Sequence, residues 1–264
     1  MTSETAPLTN IAATGGARAG RSRAPIGSND TEYFVFQDDF TQSVITTERN
    51  WTTVVDASGT TLILADAPYG VLQLTAGATT DNQGSSIQTS EELFDISSGN
   101  ELWFETKILL TDADQTDVFA GFTTTFITHP ENSIAEDDRI GFELIEESAQ
   151  WNVVCERSGV ETRKVCNGTD ADGLLSVLPL TVATDLTTAT DPDDAAWTKL
   201  GIHISGTNNN GGGVAIFYID DVRVATLITN IPDDEHLALA FFQLNGETAN
   251  NSMYVDYVWA ANTR

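Results

Sequence analysis

From Tyr33 onward the chain alternates short β-branched and aromatic runs with clusters of Gly, Asn, Asp and Pro. Within such runs, side chains two positions apart share a face, so the alternation reads as strands with one buried side. The runs predict strands at Tyr33–Gln37, Thr61–Leu64, Gly70–Thr75, Ser85–Gln88, Leu102–Leu110, Val118–Thr125 and Arg139–Glu146. They continue at Trp151–Arg157, Val160–Val165, Trp197–Ser205, Val214–Asp220, Val222–Leu227, His236–Leu244 and Met253–Ala260. The pattern contains no internal repeat and no amphipathic helix of normal length. Many short strands at regular turn spacing predict an all-β fold, an antiparallel sandwich of two sheets. The stretch 167–196 fits this pattern worst and is expected to be a long excursion, a loop large enough to suggest a functional or interaction role.

The run "VAIFYIDDVRVATL" (214–227) allows a finer expectation. A turn at Asp220-Asp221 pairs Ile219 with Val222, Phe217 with Val224 and Ala215 with Thr226, an almost wholly apolar face that must be core. A four-residue loop from Ile219 to Val222 keeps this register, which matters because Asp-Asp is a poor type I′ pair. The other face pairs Tyr218 with Arg223, Ile216 with Ala225 and Val214 with Leu227. It is more apolar than a water-facing sheet requires, so another layer or subunit is expected to cover it, with Ile216, Tyr218 and Leu227 as contact residues. In "MYVDYVWA", the same alternation places Met253, Val255, Tyr257 and Trp259 on one face and Asp256 on the other.

Charge divides the chain. It carries 39 acidic against 12 basic residues, a net −27. Residues 1–29 hold Arg18, Arg21 and Arg23 against Glu4, a net +2, which leaves −29 on the remainder. Residues 1–30, small and polar, do not fold alone and are expected to order along a partner. A basic arm (1–30) on an acidic body (31–264) suggests an attachment segment. The body's charge repels phosphate backbones, so no nucleic-acid partner is expected. The sequence contains neither a secretory h-region in its first thirty residues nor a run of about eighteen apolar residues, so synthesis in the cytoplasm without membrane insertion is expected.

Candidate chemistry is sparse. Glycoside hydrolysis needs two carboxylates roughly 5–10 Å apart, as alternate acids in E-x-D-x-E would supply. "ELWFE" instead spaces Glu101 and Glu105 four apart, and "FELIEE" sets Glu143, Glu146 and Glu147 at mixed parity, so surface charge is the expected role of all five. Asp112, Asp114 and Asp117 begin like a calcium loop but lack its Gly and closing Glu, so no metal is expected. His129, His203 and His236 carry no ligand spacing, and His203, between Ile202 and Ile204, is expected to face outward. Gly-rich "GTNNNGGG" (206–213) precedes a strand, not a helix, and reads as a hairpin loop rather than a phosphate cradle. Cys155 and Cys166 face each other only if the turn lies between Val160 and Glu161; a Ser158-Gly159 turn pairs Cys155 with Thr162 instead. In a reducing cytoplasm, free buried thiols are the default. These readings predict a protein without catalytic activity or cofactor.

The segments "EYFVFQDDF", "GNELWFETKILLTDADQTDVFAGF", "RIGFELIEESAQWNVVCERSGVET", "WTKLGIHISG", "VAIFYIDDVRVATLITNIP" and "MYVDYVWA" follow one another in an order that resembles the concanavalin A-like (laminin G-like) jelly-roll domains of tailed-bacteriophage structural proteins. The likeness runs from Tyr33 to Trp259. It departs from the family at "YIDD", where Asp221 replaces a Gly, and in lacking the glucanase branch's carboxylate motif. The resemblance implies a two-sheet jelly roll and a head decoration (cement) protein, often trimeric, bound to the major capsid protein on the virion surface. Arg18, Arg21 and Arg23 would then pair with capsid carboxylates, and Ile216, Tyr218 and Leu227 would meet a sister subunit. The alternative is a carbohydrate-binding module on a tail or fibre, with Trp51, Trp151 and Trp197 as candidate sugar platforms.

Overall fold

A computed structural model of the chain describes residues 33–41, 51–55, 60–63, 70–75, 83–97, 99–113, 115–125, 138–145, 148–166, 197–246 and 251–264. The predicted arm with Arg18, Arg21 and Arg23, the excursion 167–196, Asp114, His129, Glu146 and Glu147 lie outside these residues. The strands of the first half are β1 (Tyr33–Asp38), β2 (Trp51–Val55), β3 (Thr60–Ile63), β4 (Leu72–Thr75), β5 (Gly84–Thr89), β6 (Phe94–Asp95), β7 (Leu102–Leu110) and β8 (Thr116–Thr123). Those of the second are β9 (Arg139–Ile145), β10 (Ser148–Arg157), β11 (Val160–Val165), β12 (Thr198–Ser205), β13 (Val214–Ile219), β14 (Val222–Leu227), β15 (His236–Asn245) and β16 (Ser252–Thr263). Among the described residues there is no helix. Trp51–Val55 and Phe94–Asp95 are strands that the hydrophobic pattern missed; the second is only two residues long, too short for alternation to register.

The strands form two antiparallel sheets. Sheet A runs β14-β13-β12-β7-β16-β4-β3, with β1 also paired to β16; sheet B runs β11-β10-β9-β8-β15-β5-β2, with β6 on β15. The first and last strands lie together, Tyr33 opposite Thr263 and Asp38 opposite Val258. The chain crosses repeatedly between the sheets, among other places between β7 and β8 and between β15 and β16, which places distant segments side by side in each layer. The result is the all-β, two-sheet jelly-roll sandwich that the sequence predicts.

The core lies between the sheets and is filled from both inner faces. Phe142 of β9 meets Phe217 of β13 edge-on at 5.4 Å, and Phe104 of β7 meets Phe122 of β8 at 5.5 Å. Such pairs add about 0.5–1.5 kcal/mol to the stabilisation from buried area. Trp51 and Trp151 are buried here: Trp51 donates its indole N–H to Asp38 Oδ2 at 2.8 Å, and Trp151 lies edge-on to Phe142 at 6.2 Å. Neither is a surface sugar platform, because each fills core volume that no smaller residue around it would occupy.

Two β-bulges reset the side-chain parity expected from the sequence. On β16, Val255 stands opposite Ile108 and Tyr257 opposite Lys107, so Asp256 is the extra residue. Met253, Val255, Val258 and Ala260 therefore face the core, while Tyr257 and Trp259 turn outward. On β14 the pairing opens as expected, Ile219 with Val222 and Tyr218 with Arg223, but Phe217 then pairs with Ala225 and Ala215 with Leu227. Val224 is the extra residue, and Leu227 joins the core instead of the outer face. Leu227 is thus not available as a subunit contact. Ile216 and Tyr218 keep their outward face, but Tyr218 is covered within the chain and only Ile216 stays partly exposed. Val222, expected inward, is exposed.

The turn itself is a two-residue one. Asp220 and Asp221 have φ of 50° and 65°, the left-handed pair that a type I′ turn demands and that Asn or Gly adopts more readily. Side-chain and main-chain bonds to the neighbouring strand hold it. Asp220 N–H donates to the Lys199 carbonyl at 2.8 Å, Lys199 N–H donates to Asp220 Oδ1 at 3.0 Å, and the Lys199 ammonium pairs with Asp221. Both carboxylates serve the turn.

At the β10–β11 hairpin, Ser158 and Gly159 (φ 50° and 73°) make the turn, and Cys155 stands opposite Thr162. The cysteines are free and buried; burial drives the Cys155 thiol far up and the Cys166 thiol to about 12. Both should resist a thiol-alkylating reagent at about pH 8 in the native protein and react once it is unfolded in urea. Rapid labelling of either in the native state would contradict this burial.

Candidate functional site

The outer face of sheet B is a grid set by strand pairing. One row runs Ala238, Thr123, Arg139, Glu156, Glu161 from β15 to β11. The next runs Thr52, Gln88, Ala240, Gly121, Gly141, Val154, Arg163. The third runs Val54, Ser86, Phe242, Phe119, Glu143, Asn152, Val165. The middle of this face is apolar: Phe119, Val154, Ala240, Phe242 and Leu244 form a buried cluster separate from the main core. The Phe119 ring lies over Gly141, where an added Cβ would come within 2.7 Å of it. Glycine is needed there because two strands and an aromatic ring meet at one point.

At the β9–β11 side of the grid, three carboxylates share two guanidinium groups. Arg139 Nε lies 3.0 Å from Glu156 and 3.4 Å from Glu143, and its Nη2 lies 2.7 Å from Glu161. Arg163 Nη2 bridges Glu143 at 2.8 Å and Glu161 at 3.1 Å. Arg139 and Glu143 are almost fully buried, at 3% and 6% exposure. Burial raises the Glu143 pKa from the ordinary 4.5, against the lowering pull of Arg139 and Arg163. The cluster ties three adjacent strands by charge on the side away from the core. Glu143 is therefore not the surface charge expected from its sequence context. Arg139 and Glu143, four apart on one strand, share a face, but their partners come from β10 and β11, which only the register reveals.

The outer face of sheet A carries a second constellation. His203 stacks on Trp103 with ring centres 5.0 Å apart and planes within 8° of parallel, and its Nε2 lies 3.0 Å from Glu101 Oε2. Tyr33 meets the same tryptophan edge-on at 5.8 Å, and Trp259 and Ala261 complete the patch. Next to it, the Tyr257 hydroxyl donates to Glu105 at 2.8 Å. Lys107 pairs with Asp256 at 3.7 Å and sits 5.5 Å over the Trp197 ring. Glu105, also expected to be exposed, is buried, because Trp259 and Tyr257 turn outward beside it after the β16 bulge. Tyr218 is 4% exposed on this face, and burial raises its pKa despite Arg223 opposite.

The remaining sequence candidates do not gather into a site. Among the described residues, no three His, Cys, Asp or Glu side chains are placed to hold a metal ion. Asp112 accepts the Gln115 N–H at 3.3 Å, as a turn residue does. Of the three candidate tryptophans, only Trp197 is partly exposed, just ahead of β12.

No protein-family model and no curated protein matches the sequence. Solved structures share the fold. An endo-1,3-β-glucanase from Streptomyces sioyaensis superposes with a TM-score of 0.57 at 12% identity, over 90% of this chain and 99% of that one. A glycoside hydrolase family 16 protein from Bacteroides ovatus, bound to a mixed-linkage glucan product, gives 0.52 at 16% identity, over 84% and 98%. Peanut lectin gives 0.52 at 10% identity, over 88% and 98%. The chain is thus similar in fold to concanavalin A-like sandwiches that include glucanases and a lectin. The expectation of a protein without catalytic activity is corrected by these likenesses. Glucanases are built on this scaffold, so a missing E-x-D-x-E spacing does not serve to exclude catalysis.

Arg139→Met should destabilise the protein by about 3 kcal/mol in urea denaturation, because it leaves buried carboxylates without their main partner. For Glu143, the folded pKa lies above the unfolded one, so its contribution to stability is fully present below pH 4.5 and is lost as pH rises through the folded pKa. Glu143→Gln should flatten that part of the stability–pH curve. An unchanged curve would remove Glu143 as its source.

Proposed function

We propose that this chain is a structural protein of tailed-phage virions, a head decoration protein standing on the capsid surface after synthesis in the host cytoplasm. Residues 1–30 form the attachment arm to the major capsid protein, with Arg18, Arg21 and Arg23 pairing with its carboxylates. Residues 31–264 form the jelly-roll body, which associates as a homotrimer using the outward, half-buried Ile216. The observation that carries this reading is how the described carboxylates of the two outer faces are engaged. Glu143, Glu156 and Glu161 are clamped by Arg139 and Arg163, Glu105 by Tyr257, and Glu101 by His203. Such surfaces suit a rigid body that adds interface to a shell. The split of +2 on the first 29 residues against −29 on the rest supports the arm's separate role.

A second reading, saccharide binding, is favoured by the glucanase and lectin likenesses together with the partly exposed Trp197. A partly exposed tryptophan face is the kind of apolar platform on which a sugar ring packs.

One experiment separates the readings. The full chain should co-sediment with empty capsids, and the chain lacking residues 1–30 should not, while retaining its circular-dichroism spectrum. Equal co-sedimentation of the truncated chain would sink the arm's role. Retention of the full chain on β-1,3- or mixed-linkage glucan, or release of sugar from either, with no capsid binding, would replace the structural reading with the second.

A further inference from the structure

The loop joining β12 to β13 holds a step that is chemically primed to modify itself. Asn210 is exposed and is followed by Gly211, and an Asn-Gly step lacks the side chain that slows attack by the next backbone nitrogen on the asparagine amide. Three Asn-Gly steps occur in the chain: Asn167-Gly168, outside the described residues, Asn210-Gly211 and Asn245-Gly246. The last is shut away in β15. Asn245 is fully buried, and Gly246 N–H donates to the Gln115 carbonyl at 2.9 Å.

At Asn210-Gly211 the attacking nitrogen is held by one buried carboxylate. Gly211 N–H, the would-be nucleophile, donates to Asp233 Oδ1 at 2.9 Å. Asp233 is 1% exposed and also accepts Asn208 N–H at 3.2 Å and faces Arg157 Nε at 3.2 Å. The Asn210 amide is tied back by its own Nδ2, which donates to the Asn208 carbonyl at 3.2 Å. Gly211 is bound on its other side too, its carbonyl accepting Ile231 N–H at 3.0 Å. The step can react only when this latch opens, and local opening of an exposed loop costs far less than global unfolding.

We propose that Asn210 is a site of spontaneous deamidation and that Asp233 sets its rate by holding Gly211. In the open loop, Gly211 N bonds to Asn210 Cγ and the Cγ–Nδ2 bond breaks. The amide leaves as ammonia, taking the Gly211 proton, and a succinimide remains. One water then opens the ring, giving aspartate or isoaspartate at position 210 without any redox partner. Isoaspartate carries an extra methylene in the backbone ahead of Gly211, which displaces both the Asp233 and Ile231 bonds. It also adds a negative charge beside Asp233 and Asp234, whose shared counter-ion is Arg157. The latch therefore opens once and does not re-form.

The test is peptide mass spectrometry, with isoaspartate detection, on the full chain held at 37 °C and mildly alkaline pH. Asp233→Ala should raise the deamidation rate at Asn210 by about tenfold over the unaltered protein, while Asn245 stays intact in both. An unchanged rate at Asn210, or no modification there in the variant, overturns the proposal. If Asp233→Ala unfolds the chain, Asn245 will deamidate alongside Asn210, and Asn208→Ala then decides. That change removes the Asn208 Oδ1 that accepts the Asn210 and Gly212 N–H groups at 3.0 and 3.2 Å, loosening the loop without touching the buried carboxylate: acceleration supports the latch and an unaltered rate refutes it.

Discussion

Contact between the inner faces of the two sheets places everything else in this molecule. Phe142 on Phe217 and Phe104 on Phe122 fix how far apart the layers stand and which residues of each strand must turn inward. Once those positions are occupied, the alternate residues have no choice of face. The ion cluster on sheet B and the Trp103–His203 patch on sheet A are both consequences of core packing on the other side of their own strands.

The ion cluster shows what such forced placement costs. Arg139 and Glu143 flank Ile140 and Phe142, two residues that the core requires, so both charges face outward onto an apolar patch. Desolvation there outweighs the attraction of two arginines for Glu143, as its raised pKa records. A pair with that balance contributes little net stability, but removing one member leaves the others exposed to the full penalty. What the cluster supplies is register. Glu156 and Glu161 meet Arg139 only when β9, β10 and β11 are aligned as they are, and a two-residue slip of β9 on β10 would set Arg139 opposite Val154 or Ser158 instead of Glu156.

Much of the fold is legible in the sequence because period-two alternation is a local property of each strand. "RIGFELI" and "VAIFYI" declare strands, and Ile140, Phe142 and Phe217 declare a core face, without reference to any partner. The alternation fails where a bulge inserts a residue, and nothing in "MYVDYVWA" or "VRVATL" marks one. Asp256 and Val224 are the extra residues, and each flips the faces beyond it, which is why Leu227 lies inward and Tyr257 outward. The candidate sites were the least legible part. Glu101, Trp103 and Glu105 are evident as one face of β7, but His203 reaches Trp103 only because β12 lies beside β7, nearly a hundred residues away in the chain.

Sequence alone determined the strand content, the inward residues of each strand up to its first irregularity, and the Asp220-Asp221 turn that closes one hairpin. Tertiary structure decided which strands are neighbours, where bulges such as those of β14 and β16 fall, and hence which charges and rings meet on the outer faces. The physical reason is that alternation is set by the pleat of one strand against one interface. Register is set between strands distant in the chain, whose hydrogen-bond ladders are nearly equivalent in energy at every even shift. Only simultaneous packing of both sheets separates those alternatives.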